Sequence, residues 1–111
     1  MPLFTRNTTP EIGVDELEYI LGAGDSFLLD VREDWEFRRG RVPGARQVPL
    51  GQLPGSLDRL PRDKRVIVIC EHGNRSLVAA RFLLDSGFAD ACSVRGGTSA
   101  WARADLPLER E

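Results

Sequence analysis

Val66-Ile67-Val68-Ile69 is the stretch that most limits what this chain can fold into, because it sets four β-branched residues in a row with no polar alternation. A strand with one wet face alternates apolar and polar residues, whereas an uninterrupted run belongs to a strand covered on both sides, as in a parallel sheet between two helical layers. The run ends on Cys70. Glu71-His72-Gly73-Asn74 then leads into Arg75-Ser76, beyond which Leu77, Val78, Ala79, Ala80, Phe82, Leu83 and Leu84 predict a strongly apolar helix. The order strand, thiol, short loop, helix places Cys70 at the carboxyl end of a central strand, where open α/β sheets bind their ligands.

A helix N-terminus presents unpaired N–H groups and a partial positive charge to whatever lies before it. An ordinary cysteine is only a few per cent ionised at neutral pH, and helix N-termini or nearby cations favour its thiolate. Gly73 admits backbone conformations closed to other residues, so the loop can curl and aim N–H groups inward as an anion-binding nest. Arg75 adds a permanent cation. A glycine, an arginine and a helix start in these places point to an activated nucleophile rather than an inert buried thiol. Cys92, in the short strand candidate Ala91-Cys92-Ser93-Val94, reads as a packing residue, with a resolving thiol as the alternative. Two cysteines so placed make neither a disulfide framework nor a zinc site, and no metal ligand set is expected.

The segment Cys70-Glu71-His72-Gly73-Asn74-Arg75-Ser76 resembles the active-site loop CxxGxRS of the single-domain rhodaneses. Leu29-Asp30-Val31-Arg32-Glu33 resembles that family's LDVRE strand end, Gly40-Arg41-Val42-Pro43-Gly44-Ala45 its GHIPGA turn, and Gly96-Gly97-Thr98-Ser99-Ala100-Trp101 its closing GGxxAW. The four blocks fall in the family's order. Arg41 stands where the family usually has histidine, which puts in doubt any role of that imidazole. Related phosphatases on this fold carry CX5R, one residue longer from cysteine to arginine than the loop here. A shorter ring of amides makes a smaller nest, suited to a sulfane sulfur rather than a tetrahedral phosphate. The resemblance therefore implies sulfur transfer over phosphate hydrolysis.

The chain of 111 residues, 41% hydrophobic, has length for one core and not two, so one domain over residues 1–111 is expected, with its core at about 8–108. This matches one rhodanese unit rather than a tandem pair. Net charge is −2 with both signs dispersed, and no nucleic-acid footprint is visible. Met1 to Pro10 has neither an apolar h-region nor a basic lead, and no run reaches membrane-spanning length, so a soluble, cytoplasmic protein without a membrane partner is expected. Arginine outnumbers lysine fourteen to one, which does not decide function.

Along the chain, Gly13 to Leu21 reads as the first helix, with Val14, Leu17, Ile20 and Leu21 on one face. Ser26 to Val31 is a strand, Asp34 to Arg39 a turn or two of helix anchored by Trp35 and Phe37, and Gln47 to Pro49 a short strand. Gly51 to Leu60 predicts a short helix interrupted by Pro54. Gly96-Gly97 marks a tight turn, Thr98 or Ser99 a cap for a last helix carrying Trp101 as a core plug, and Glu109 to Glu111 a polar end. Together these elements specify a three-layer α/β domain with a mostly parallel central sheet flanked by helices.

Asp30 and Arg32 fall at the same end of the sheet as Cys70 if their strands are parallel neighbours, either as a salt-bridge shell around the loop or as ordinary strand-end capping. Glu36 stands in the place of a family glutamate, and the resemblance implies that it reaches the loop to orient Arg75. Arg38, Arg39, Arg41 and Arg46 form a cationic cluster, read as a solvated face or as guidance for an anionic donor or acidic partner. His72 and Glu71 sit in the loop beside the nucleophile, with His72 expected to point outward.

The resemblance implies a sulfurtransferase working through a Cys70 persulfide. It implies a small-molecule donor such as thiosulfate, an acceptor that is cyanide or a cellular thiol, and no metal or organic cofactor. A thioredoxin-like or sulfur-carrier protein is a further acceptor class, and a relay or interaction module docking a specific protein is the alternative.

Overall fold

The computed structural model describes residues 8–111; residues 1–7, most of the Met1 to Pro10 stretch read above, lie outside the described residues. Five strands, β1 (Glu11–Ile12), β2 (Ser26–Asp30), β3 (Arg46–Gln47), β4 (Arg65–Ile69) and β5 (Ala91–Val94), form one sheet in the order β1-β5-β4-β2-β3. Every neighbouring pair is parallel. β4 is central, as its unbroken apolar run requires, and Val66 to Ile69 are all fully buried.

Alternation along β4 splits the core in two. Val66, Val68 and Cys70 face one side, with Ala79, Ala80 and Leu83 of α3 (Asn74–Asp85) and Leu53 of a 3-10 segment (Leu50–Arg59). Ile67 and Ile69 face the other, with Leu17 of α1 (Val14–Ala23) and Trp101 of α4 (Gly97–Arg103). The sheet is therefore covered on both faces, in three layers. Trp101 is buried, and its indole N–H donates to the Pro107 carbonyl at 2.7 Å. Among the described residues no helix is long and apolar enough to cross a membrane.

Several expectations are corrected. The stretch after β3 winds as a 3-10 helix, because Gly51, Pro54 and Gly55 withhold helix propensity and one amide donor. α4 is capped by Gly96 at φ 79°, not by Thr98 or Ser99. Trp35, expected as an anchor on α2 (Asp34–Arg39), is 60% exposed, since so short a helix buries none of its residues. Glu109 to Glu111 form the exposed polar end expected, and it is tied down as well: Arg41 and Glu109 exchange two backbone hydrogen bonds of 2.9 Å.

The turn Gly96-Gly97 brings α4 onto the loop after β4. Thr98 and Ser99 donate their backbone N–H groups to the carbonyls of Cys70 (2.9 Å) and Glu71 (3.0 Å). A Cβ on Gly97 would collide with the Cys70 carbonyl oxygen and lie 2.6 Å from the Glu71 carbonyl carbon, at a φ of 59°. The backbones approach this closely only because there is no side chain. Gly97→Ala is expected to destabilise the protein by on the order of 2–4 kcal/mol. Gly22→Ala, in open space on α1, should instead raise stability by roughly 0.5–1 kcal/mol. Thermal unfolding of the two variants side by side checks both signs.

Candidate active site

Cys70 follows the last residue of β4 and is 1% exposed. Four residues later the chain is helical, and Gly73, at φ 101°, makes the turn. The conformation brings two backbone donors onto the sulfur: the N–H groups of Gly73 and of Ser76 each lie 3.2 Å from Cys70 Sγ. The Ser76 N–H is one of the donors that the start of an α-helix leaves without an internal partner, and here a sulfur atom takes it. The site favours negative charge on that sulfur by the same geometry that satisfies the backbone.

Beneath the sulfur lies a second feature, absent from the sequence reading. Ser76 Oγ is 3.4 Å from Cys70 Sγ and 2.7 Å from Ser93 Oγ, and both serines are fully buried. Ser93 pairs with Val68 across β4 and β5 and shares the face of Ala91, which places it under the start of α3. Ser93 Oγ makes no other hydrogen bond among the described residues. If Ser93 donates to Ser76 and Ser76 to the sulfur, both hydroxyl protons are used. In the reverse order, the Ser93 proton has no acceptor, which costs a buried donor its partner. In the thiol form Cys70 Sγ donates to Ser76 Oγ; with that proton lost, Ser76, backed by Ser93, is free to turn its hydroxyl toward the sulfur. A hydroxyl in the middle of a short apolar strand was the available signal, and its partner lay too far along the chain to recognise.

The charged residues form two closed sets. Arg32, 3% exposed, grips fully buried Asp30 through Nε and Nη2, with contacts of 2.9 to 3.1 Å. It also donates to the Gly40 carbonyl at 2.8 Å and to Glu71 Oε1 at 3.3 Å. Glu71 in turn accepts the Thr98 hydroxyl at 2.8 Å. Asp30 and Arg32 therefore link the end of β2 to the loop and to α4, beyond ordinary capping. In the second set, Arg75 and Glu36 meet fork to fork at 2.8 and 2.9 Å. This hydrogen bond to Arg75 holds the Glu36 carboxyl down to about 2, and the carboxylate pushes the Arg75 guanidinium further up. Arg75 is thus already paired, not a free cation beside the sulfur. Glu36 also accepts from the Glu33 N–H at 2.9 Å, closing the capping box of α2.

His72 and Asn74 are exposed, and neither side chain makes a hydrogen bond among the described residues. Cys92 belongs to the core on the opposite face of the sheet from Cys70, where burial pushes its thiol up. No group of histidine, cysteine and acidic side chains among the described residues is placed to hold a metal ion.

Comparison with known proteins gives a family. The family model described as "Rhodanese-like domain" matches residues 13–104. A "Thiosulfate sulfurtransferase GlpE" of Glaesserella parasuis is 36% identical over 104 residues, spanning 94% of this chain and 96% of its own length. A "Sulfurtransferase" of Allochromatium vinosum is 36% identical over 84 residues, covering 76% of this chain and 78% of its own. Among solved structures, a rhodanese-related protein from Thermoplasma volcanium superposes with a TM-score of 0.85 at 32% identity, over 92% of this chain and 99% of that one.

Two outcomes are expected at this site. Glu36→Gln should lower stability by about 1–2 kcal/mol at neutral pH, the range for a charge-assisted pair with one partner a third exposed. The native Glu36 carboxyl sits near 2 against an ordinary 4.5, so its contribution is complete above pH 4.5 and lost as pH falls toward 2. The gap between the two unfolding curves should therefore close over that window. Ser93→Ala should slow Cys70 alkylation several-fold at neutral pH, with Ser93→Thr restoring it; an unchanged rate would remove Ser93 from the site.

Proposed function

Because this chain belongs to the rhodanese-like family, we propose that it is a sulfurtransferase that carries a sulfane sulfur on Cys70 as a persulfide. The observation that supports this most directly is the buried Cys70 sulfur facing two backbone N–H groups, at 3.2 Å each.

In the first half-reaction the Cys70 thiolate attacks the outer sulfur of thiosulfate. The new S–S bond forms on Cys70, and sulfite leaves with the electron pair of the old bond. The persulfide then carries its charge on the terminal sulfur, in front of the loop donors. These act as an oxyanion hole does, as dipoles fixed before the charge arrives. In the second half-reaction cyanide or a thiolate takes the terminal sulfur, and the pair of the broken S–S bond returns to Cys70. The Ser76 hydroxyl, supported by Ser93, is placed to donate to that leaving sulfur. Each step is a displacement at sulfur, so no metal or organic cofactor enters and the kinetics are ping-pong. Arg75 and Glu36 fix the loop's shape, and Asp30 and Arg32 fix its position. His72 and Asn74 lie outside the chemistry. A cytoplasmic setting, where thiols stay reduced, suits this cysteine.

The test is intact mass after incubation with thiosulfate. The wild-type chain and Cys92→Ser are expected to gain one sulfur atom, which cyanide removes, and Cys70→Ser to gain none. If neither thiosulfate nor an organic persulfide loads a protein whose Cys70 still alkylates, the proposal fails.

A further inference from the structure

α2 fully buries none of its residues, so contacts at its two ends must fix its position. In its first turn Glu36 closes the capping box and meets Arg75 fork to fork. Just past its last turn Arg32 donates to the Gly40 carbonyl at 2.8 Å, which fixes a point but not an orientation. The rest of the support at that end comes from Arg41 and the segment 106–111.

That segment is a strap rooted on α4 and the core. The Trp101 indole holds the Pro107 carbonyl at 2.7 Å, and Leu106 and Leu108 pack against the core cluster that contains Trp101. Farther along, Arg41 and Glu109 exchange their two backbone hydrogen bonds, and the Glu111 N–H reaches the Arg38 carbonyl at 3.2 Å. Side chains close the same contact. Arg41, 17% exposed, donates from Nη1 to the Phe37 carbonyl at 3.3 Å, and its guanidinium lies over the Phe37 ring at 4.6 Å. Its Nη2 is 3.4 Å from Glu111, and its Nε is 3.9 Å from Glu109. One guanidinium thus meets a last-turn carbonyl of α2, a ring of α2 and two carboxylates of the strap. A histidine at this position, with two ring nitrogens, could not make these contacts together.

We propose that Arg41 is a positioning residue for the Cys70 loop: clasped by Glu109 and Glu111, it holds α2 where Glu36 keeps Arg75 paired. Glu36 is both the cap partner of α2 and the partner of Arg75, so a shift of α2 pulls the fork apart. Arg75 immediately precedes Ser76, whose N–H faces the sulfur. The Glu36 hydrogen bond above all, and the Cys70 sulfur with it, push the Arg75 guanidinium up, so the cation feels the sulfur's charge. Released from Glu36, it would attract any anion approaching Cys70. The effect on the thiol needs no assumption about the reaction; the effect on an anionic sulfur donor rests on the sulfur-transfer reading.

The experiment compares Arg41→Ala and Glu109→Gln/Glu111→Gln with the parent, all as full chains carrying Cys92→Ser, in two arms. In the first, Cys70 is alkylated with iodoacetate and, separately, with iodoacetamide. The two reagents share a shape and differ in charge, so the ratio of their rates cancels thiolate fraction and access and reads the local field. That ratio should rise about three- to tenfold in Arg41→Ala and in the same direction in the double Gln variant, which carries the test should Arg41→Ala not fold. Adding Arg75→Ala to either should abolish the rise. An unchanged ratio overturns the proposal, whether both rates climb together through loosening or neither moves, and so does a rise that survives Arg75→Ala. In the second arm, transfer from thiosulfate to cyanide is followed at steady state. The same variants should lower KM for thiosulfate several-fold without raising kcat, since a freed cation attracts bound donor and transition state alike. A KM that stays or rises overturns the role of Arg41 in transfer. No transfer by the parent would instead sink the sulfur-transfer reading, and the alkylation ratio would still decide the clasp.

Discussion

A chain that leaves a buried strand and enters a helix four residues later must satisfy its own N–H and C=O groups away from water, and in this protein Cys70 is where that demand is met. Its carbonyl takes the Thr98 N–H, and its sulfur takes those of Gly73 and Ser76. The cysteine is thus part of the hydrogen bonding that shapes the loop, and the donors that shape the loop are those that would hold charge on the sulfur. Gly73 and Gly97 belong to the same constraint. A Cβ on Gly73 would lie 3.1 Å from the Gly96 nitrogen, so the two glycine turns are pressed back to back.

The charged shell serves that geometry rather than adding charge to it. Arg32 is nearly inaccessible, and removing its partner would leave a buried guanidinium unpaired, a change that costs about 3–5 kcal/mol in such pairs. Its contacts reach β2, Gly40 and Glu71, so one side chain joins the strand end, the close of α2 and the loop. Arg75 and Glu36 join the start of α3 to α2 in the same way. With these charges matched, the donors left facing the sulfur are the backbone amides of Gly73 and Ser76.

Much of this was legible because it is local. The unbroken run Val66 to Ile69 announced a strand buried on both faces, and Gly73 followed by an apolar stretch announced the turn and α3. α1 was legible from the spacing of Leu17 with its neighbours, and α2 from Asp34 to Arg39. The features that escaped are those made by distant segments. β1 has two residues and exists only because it pairs with β5. Ser93 has no local signature and gains its meaning from Ser76. Thr98 looked like a cap and is a partner of Glu71, because Gly96 had already taken the capping position. Arg41, read with its neighbours as an open cationic face, is instead covered by the C-terminal residues, whose pairing no sequence period reveals.

The pairing of Arg75 with Glu36 bears on how such a site would discriminate. Interactions equally strong in the bound substrate and the transition state improve binding without accelerating the reaction. A free arginine against the sulfur would hold thiosulfate, persulfide and sulfite alike, since all are anionic. With Arg75 engaged by Glu36, the charge that would move during sulfur transfer meets dipoles fixed beforehand at one place, the sulfur cradle of the Gly73 and Ser76 N–H groups.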